Sequence, residues 1–196
     1  MGTDRPLLVA GDTNGQADWL NQESPCVYAG ECQNYALRQL KDWIASRWCR
    51  VDRCSFQKEY IIPASRPFGF YHRQQNNLPK AKKEFLHLAL VHSQVLQTTI
   101  RRLHDTWFGF AKRGKGFGRF KKYGQFKSFV FPQFKDNPIQ GFKVLLPKIG
   151  SMPINLHRPI PDGFVGKQVQ VLSKVRGTQW YVVVTIESSV SVPEAL

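Results

Sequence analysis

The sequence predicts an α+β protein in which a helical half precedes a β half. Apolar residues in the first half recur every three or four positions, which is the spacing of an amphipathic helix. After Gly114, short runs with period-two alternation replace that spacing, and glycine and proline separate them. The chain has 196 residues, of which 42% are hydrophobic, so it is long and apolar enough to bury a core.

The first helix is predicted from Asn34 onward. Its apolar residues follow helical spacing, and charged residues take the other face. The apolar residues are Ala36, Leu37, Leu40, Trp43 and Ile44. Residues 1–33 show no sustained periodicity, so we expect an irregular leader before the helix.

Residues 49–80 are predicted to be mostly loop, because three prolines and a polar run at 74–77 interrupt them. A second helix should extend from about Lys80 to Lys112, with a break near His87–Ser93. Its later half carries one apolar stripe with helical steps. The stripe consists of Leu96, Ile100, Leu103, Trp107 and Phe110. Core packing is the first expectation for the last two rings.

The β half is predicted from five short runs: Ser128–Phe134, Phe142–Leu146, Met152–His157, Lys167–Val175 and Gln179–Glu187. The last run alternates most clearly, with Trp180, Val182, Val184 and Ile186 on one face. Short strands separated by turns favour a small barrel or sandwich. The predicted organisation is a helical part at 34–113, a basic loop plus β part at 114–190, and a tail at 191–196.

Charge is the most unusual property of the composition. The chain has 28 Lys and Arg against 14 Asp and Glu, a net charge of +14. Such a surface attracts polyanions: RNA, DNA or an anionic membrane. No stretch approaches the ~20 consecutive apolar residues that span a bilayer, and the first residues do not resemble a signal peptide. We therefore expect no membrane partner and a cytoplasmic location; the oligomeric state stays open.

Catalytic and metal-binding patterns are weak. The four cysteines, Cys26, Cys32, Cys49 and Cys54, lack the two-residue spacing of a zinc ribbon. A four-thiolate site stays geometrically open, but reduced thiols are expected. His87 and His92 do not share one helical face, and acidic residues are sparse. We expect no catalytic residue, no metal site and no cofactor.

Residues 112–127, KRGKGFGRFKKYGQFK, carry the clearest functional pattern and are called the basic segment below. Seven of them are basic and none is acidic. Aromatic residues are interleaved at Phe117, Phe120, Tyr123 and Phe126. Cations can hold phosphates while rings meet base faces, so the pattern favours nucleic-acid binding without choosing RNA or DNA. The alternative is a solvated loop whose rings are core anchors.

Five stretches carry a resemblance to a known family: NYALRQLKDW at 34–43, HSQVLQTTIRRLHDTW at 92–107, GRFKKYGQFKSFVFPQF at 118–134, LPKIGSMPINLHRPIPDG at 146–163 and QWYVVVTIE at 179–187. In this order they resemble the TnpB (OrfB) transposases of bacterial insertion sequences, which are relatives of type V CRISPR effectors. The resemblance runs from about residue 34 to about residue 190.

The resemblance implies that a helical recognition part and a β-barrel wedge together grip guide RNA and target DNA. In the family a RuvC-like nuclease half with three metal-binding acids and a four-cysteine zinc ribbon follows. Nothing in residues 1–25 matches the family's first barrel strand, and Gly118 stands where the family tends to have proline. We therefore expect an antiparallel barrel that lacks a strand and has an unpaired edge.

The function expected from the resemblance is that of a truncated TnpB-type protein, associated with DNA transposition, which keeps RNA and DNA binding without the nuclease half. On that hypothesis the chain is not an enzyme on its own. One alternative is an endonuclease completed in trans by a separate RuvC-like chain. Another is a non-functional transposon remnant.

The residues expected to bind nucleic acid lie mainly in the basic segment. Phosphates would be held by Lys112, Arg113, Lys115, Arg119, Lys121, Lys122 and Lys127. Phe117 or Tyr123 would stack on a base. Arg101 and Arg102 would extend the patch, unless they belong to a solvated helix face. Arg158, in the family-like HRPIP motif, would reach a phosphate or serve a turn.

Overall fold

Helices fill most of the first half of the described chain and strands most of the second, which confirms the α+β class. The computed structural model describes residues 5–10, 25–48, 70–114, 116–134, 136–155, 164–174 and 179–188. The helices are α1 Pro25–Trp48, α2 Phe70–Glu84, α3 Leu86–Leu90 and α4 Ser93–Arg113. The strands are β1 Arg5–Ala10, β2 Ser128–Phe131, β3 Ile139–Gln140, β4 Lys143–Leu146, β5 Gly150–Pro153, β6 Phe164–Lys174 and β7 Gln179–Ser188.

Helix α1 begins nine residues before the predicted start at Asn34. Pro25 suits a first helical position, since it needs no amide partner there. Cys26, Ala29 and Cys32 continue the buried face of the helix backward. These small side chains gave a weak periodic signal. The prediction of an irregular leader is therefore wrong for 25–33, and also for β1.

Helix α2 corrects the loop prediction for residues 70–80, the described part of 49–80. Its inward face includes Gln74 and Leu78, which are one helical turn apart and both buried. A polar residue at a buried position breaks the apolar pattern from which a helix is predicted. Pro79 lies inside the helix, where sequence rules favoured an interruption.

The predicted second helix is divided by breaks at Phe85 and at Val91–His92. The second break falls within the predicted range. There Lys82 Nζ donates to Val91 O at 3.0 Å and to Ser93 Oγ at 2.9 Å, so the break has a hydrogen-bond partner outside the helices that flank it. His92 then caps α4, since its Nδ1 accepts from the backbone N–H of Gln94.

The apolar stripe of α4 forms much of the helical core. Leu96, Ile100 and Leu103 are buried, as predicted. Trp107 is partly buried against the core, whereas Phe110 is 39% exposed. The helix ends at Gly114, whose φ of 62° lies in the left-handed region that glycine adopts without strain. The chain therefore leaves α4 directly into the basic segment.

The strands form two antiparallel sheets, ordered β1-β7-β6-β2 and β3-β4-β5. Strand β7 buries Trp180, Val182, Val184 and Ile186, as its alternation predicted. Strand β1 pairs with β7 along its whole length, which adds a strand from residues where none was predicted. Among the strands that the structure describes, the first sheet still has two outer edges, at β1 and at β2. Over the described residues the sheets do not close into a barrel, which departs from the predicted architecture.

A buried polar network joins α1, α2 and α4. Gln74 Nε2 donates to Ala36 O at 3.1 Å and to Gln39 Oε1 at 2.9 Å. Its Oε1 lies 3.2 Å from His104 Nε2. Because that oxygen can only accept, His104 must carry its proton on Nε2. The Tyr71 ring packs edge-on against the imidazole, at 5.5 Å between centroids.

His104 should make the stability of the fold depend on pH. Burial lowers the pKa of His104, and the nearby Asp105 carboxylate opposes this only in part. Since the unfolded state then binds more protons, stability is fully present above the ordinary histidine pKa of ~6.5 and falls as pH drops below it. Urea unfolding at pH 7.5 and 5.5 should show a lower midpoint at the acid pH. His104→Gln should reduce the difference, leaving a remainder from His92, whose pKa is also lowered by burial.

An unchanged pH difference in His104→Gln would contradict this assignment. The substitution keeps an amide N–H that can donate to Gln74, so it removes the titration without removing the hydrogen-bond donor. The matched control is His72→Gln on α2, because His72 is exposed. That variant should retain the full difference.

Candidate nucleic-acid interface

The basic segment follows one face of α1. Helix residues Gly30, Asn34, Leu37 and Lys41 are spaced by four, three and four, so they line a single stripe. The segment numbers fall overall as the helix numbers rise, so the segment and the helix are antiparallel. In order along the helix, the contacted residues are Phe126, Lys121 and Gly118, and then both Phe120 and Phe117 for Lys41.

Lys41 contacts the first part of the basic segment. Its Nζ is 4.4 Å from the ring centroid of Phe120 and 5.7 Å from that of Phe117. Both distances are within the range in which a cation is attracted to an aromatic face. Nearby, the backbone of Gly118 lies beside Leu37: a Cβ added to Gly118 would be 3.5 Å from a leucine methyl, an ordinary contact distance.

Asn34 and Gly30 contact the later part of the basic segment, at Lys121 and Phe126. Asn34 Nδ2 donates to Lys121 O at 2.7 Å, and its Oδ1 accepts from Lys121 N at 2.8 Å. At Gly30, an added Cβ would lie 3.1 Å from the Cβ of Phe126, which is closer than most side chains tolerate. The missing side chain at Gly30 therefore makes room for the Phe126 ring.

Two of the four aromatic residues in the segment are packed. Phe117 meets Phe110 at 5.2 Å and Trp107 at 5.6 Å between centroids, with both pairs nearly perpendicular. Phe117 and Phe126 are also partly buried against the hydrophobic core. For these two rings, the geometry favours the anchor interpretation over base stacking.

The other two aromatic residues are open to solvent. Phe120 is 48% exposed and Tyr123 is 80% exposed. Tyr123 lies on a tight turn in which Gln125 N donates to Lys122 O at 3.0 Å. Lys122 N donates to the Gln125 side-chain oxygen at 2.9 Å, and Gly124 has a φ of 72°. The turn thus presents Tyr123 on a backbone that is hydrogen-bonded on both sides.

The cations of the segment point to solvent wherever the structure describes them. The exposed members are Lys112, Arg113, Arg119, Lys121, Lys122 and Lys127. Among the described residues, Lys167 forms an ion pair with Glu187, and His87 Nε2 lies 3.1 Å from Glu31 Oε2. Within that part of the chain, no carboxylate neutralises a cation of the segment. Lys115 lies outside the described residues.

The two neighbouring arginines of α4 differ in their contacts. Both are exposed, but Arg102 donates to Ser128 O and to Ser128 Oγ, each at 3.2 Å. Arg102 therefore ties α4 to β2, whereas Arg101 lies on the solvent face. The structure does not describe Arg158. Sequence reasoning missed Asn34 and Lys41, because each acts on residues far away in the chain.

Comparison with known proteins supports the resemblance inferred from sequence. Over 101 residues, or 52% of its length, the chain is 35% identical to "Putative RNA-guided DNA endonuclease InsQ" of Escherichia coli strain K12. The match covers 24% of that protein, so the chain spans about a quarter of this relative's length. No family model matches the chain.

The described residues include neither a membrane-spanning helix nor a cluster of metal-binding side chains. No helix among them is both long and apolar enough to cross a membrane. In the same part of the chain, no three His, Cys, Asp or Glu side chains lie together as a group that could hold a metal ion. Burial raises the pKa of the Cys32 thiol to about 12, so this cysteine is a protonated core residue at neutral pH.

Proposed function

We propose that this chain is a TnpB-type nucleic-acid-binding protein that holds a strand along the basic segment. The observation that carries the proposal is a segment whose backbone and two rings are anchored while its charges face water. Anchored rings alone would also fit a solvated loop, so the features that favour binding are the exposed Tyr123 ring and the exposed cations, which no described carboxylate neutralises. A net charge of +14 supplies the long-range attraction that brings a polyanion to the segment.

The strand is held by two kinds of contact on this proposal. Arg119, Lys121 and Lys122 bind phosphate oxygens, and the release of counterions from the nucleic acid drives the association. Tyr123 stacks on an unpaired base, since a ring that is 80% exposed and follows Lys121 and Lys122 is accessible to a base face. The ligand class is RNA or DNA that offers single-stranded nucleotides.

The similarity to a protein named as an RNA-guided DNA endonuclease makes guide-type RNA and DNA the proposed partners. Association with DNA transposition and a cytoplasmic location belong to the same proposal. We further propose that the 196 residues bind without cutting. The acidic residues number 14, and no three His, Cys, Asp or Glu side chains that the structure describes form a group that could hold a metal ion.

Fluorescence anisotropy across a salt series tests this function. If about five phosphates are engaged, the log–log slope of affinity against salt should be near −3.5 for single strands and −4.5 for duplex. Labelled strands incubated with the chain and Mg²⁺ should stay intact. Binding that does not change with salt would contradict the proposed interface, and cleavage by the purified chain would contradict the absence of nuclease activity.

A further inference from the structure

Asn34 makes a contact that the proposed binding residues do not account for. Its amide forms two hydrogen bonds with the backbone of Lys121, one as donor and one as acceptor, across 87 positions of sequence. This is the pattern with which one strand pairs with another. The pair fixes the register of Lys121 against α1, and it involves no atom of the lysine side chain.

These two hydrogen bonds join the centre of the basic segment to α1. Among the described residues, they are the hydrogen bonds that join α1 to the basic segment. The other contacts on this face are apolar or cation–π, at Lys41, Leu37 and Gly30, and they do not define a register as sharply. The turn that carries Lys122 and Tyr123 begins directly after Lys121.

We propose that Asn34 is a positioning residue that sets the basic segment in the conformation that binds a nucleic-acid strand; this inference rests on the proposed function. Without the amide, the backbone at Lys121 would sample other conformations. The apparent dissociation constant is inversely proportional to the fraction of molecules in the binding-competent state. The loss of two hydrogen bonds changes an equilibrium by about five- to thirty-fold. Asn34→Ala should therefore weaken binding about ten-fold when it leaves the binding-competent state in the minority.

The test is a double-mutant cycle on single-stranded RNA and DNA, read by anisotropy at one salt concentration. Asn34→Ala is measured in the natural chain and in the Lys121→Ala/Lys122→Ala background. Lys121→Ala removes a charge and leaves both backbone hydrogen bonds to Asn34 in place. If Asn34 acts by positioning these cations, its substitution should weaken binding about ten-fold in the natural chain and less than about two-fold in the background without them.

Two further variants control for loss of folding. Asn76→Ala removes an exposed asparagine from α2 and should bind like the natural chain. Asn34→Gln keeps the amide but moves it by one methylene, so it should weaken binding as Asn34→Ala does. Hydrogen exchange should show the Lys121 amide exchanging faster in both Asn34 variants while the amides of α4 stay protected.

The outcomes separate this inference from the proposed function. A natural chain with no salt-dependent binding overturns the proposed function and the positioning role with it. A natural chain that binds, together with Asn34 variants that bind equally well, overturns the positioning role alone. An equal loss in both backgrounds does the same, because Asn34 is then not coupled to the two lysines.

Discussion

Replacing Arg119, Lys121 and Lys122 together with alanine is expected to abolish most of the salt dependence of nucleic-acid binding. All three side chains are exposed, and no described carboxylate pairs with them. Each lost phosphate contact should flatten the single-strand slope by about 0.7, so the slope should change by about two units. Near 0.1 M salt that corresponds to roughly 100-fold weaker binding. The loss should be the same on all sequences, because phosphate contacts carry no base information.

The matched control removes the same charge from another face. Arg73, Lys80 and Lys83 are exposed on α2, and their replacement with alanine lowers the net charge by the same amount. If binding depends only on the overall charge, the two triple variants should lose affinity equally. If the basic segment is the interface, the control should keep most of the slope. An unchanged slope in the segment variant would mean that the segment is only a solvated loop.

Much of the fold follows from periodicity, because the elements that were predicted have apolar buried faces. Helix α4 buries Leu96, Ile100 and Leu103 at helical spacing, and β7 buries every second residue. Such patterns are local and depend on the side chains of one element. They give the α+β class and the position of the change from helix to strand near Gly114.

The elements that sequence reasoning missed bury side chains of another kind. Helix α1 extends backward through two cysteines and an alanine, and α2 packs with Gln74 inside the core. Gln74 is tolerated there because Ala36, Gln39 and His104 satisfy its amide. These partners come from two other helices, so a pattern within α2 could not reveal them.

Composition located the candidate site, but it did not show the role of each residue within it. The sequence places cations and rings together in the basic segment without showing which rings face water. That choice depends on Trp107, Phe110 and the small Gly30, which belong to α4 and α1. The contact between Asn34 and Lys121 is equally non-local. Both are consequences of how the segment packs along α1.

Phe117→Ala should therefore lower mainly the stability of the fold, whereas Tyr123→Ala should lower mainly the affinity for single strands. Phe117 contacts two rings and the core, so its removal should lower the free energy of unfolding by about 2–3 kcal/mol, below the range for a fully buried phenylalanine. Tyr123 is 80% exposed, so its removal should change stability by less than about 0.5 kcal/mol. Its loss should instead weaken single-strand binding by about 1–3 kcal/mol, the usual contribution of one stacked base.

Thermal melts and anisotropy titrations on the same preparations distinguish these outcomes. Tyr123→Phe is the matched control, because it keeps a ring for stacking and should bind single strands nearly as well as the natural chain. Binding by Phe117→Ala should be measured well below its lowered midpoint, where the variant is still folded. If Tyr123→Ala binds unchanged, the exposed ring does not stack on a base. If Phe117→Ala keeps its midpoint but loses affinity, Phe117 stacks on a base, and the aromatic cluster with Trp107 and Phe110 contributes little to stability.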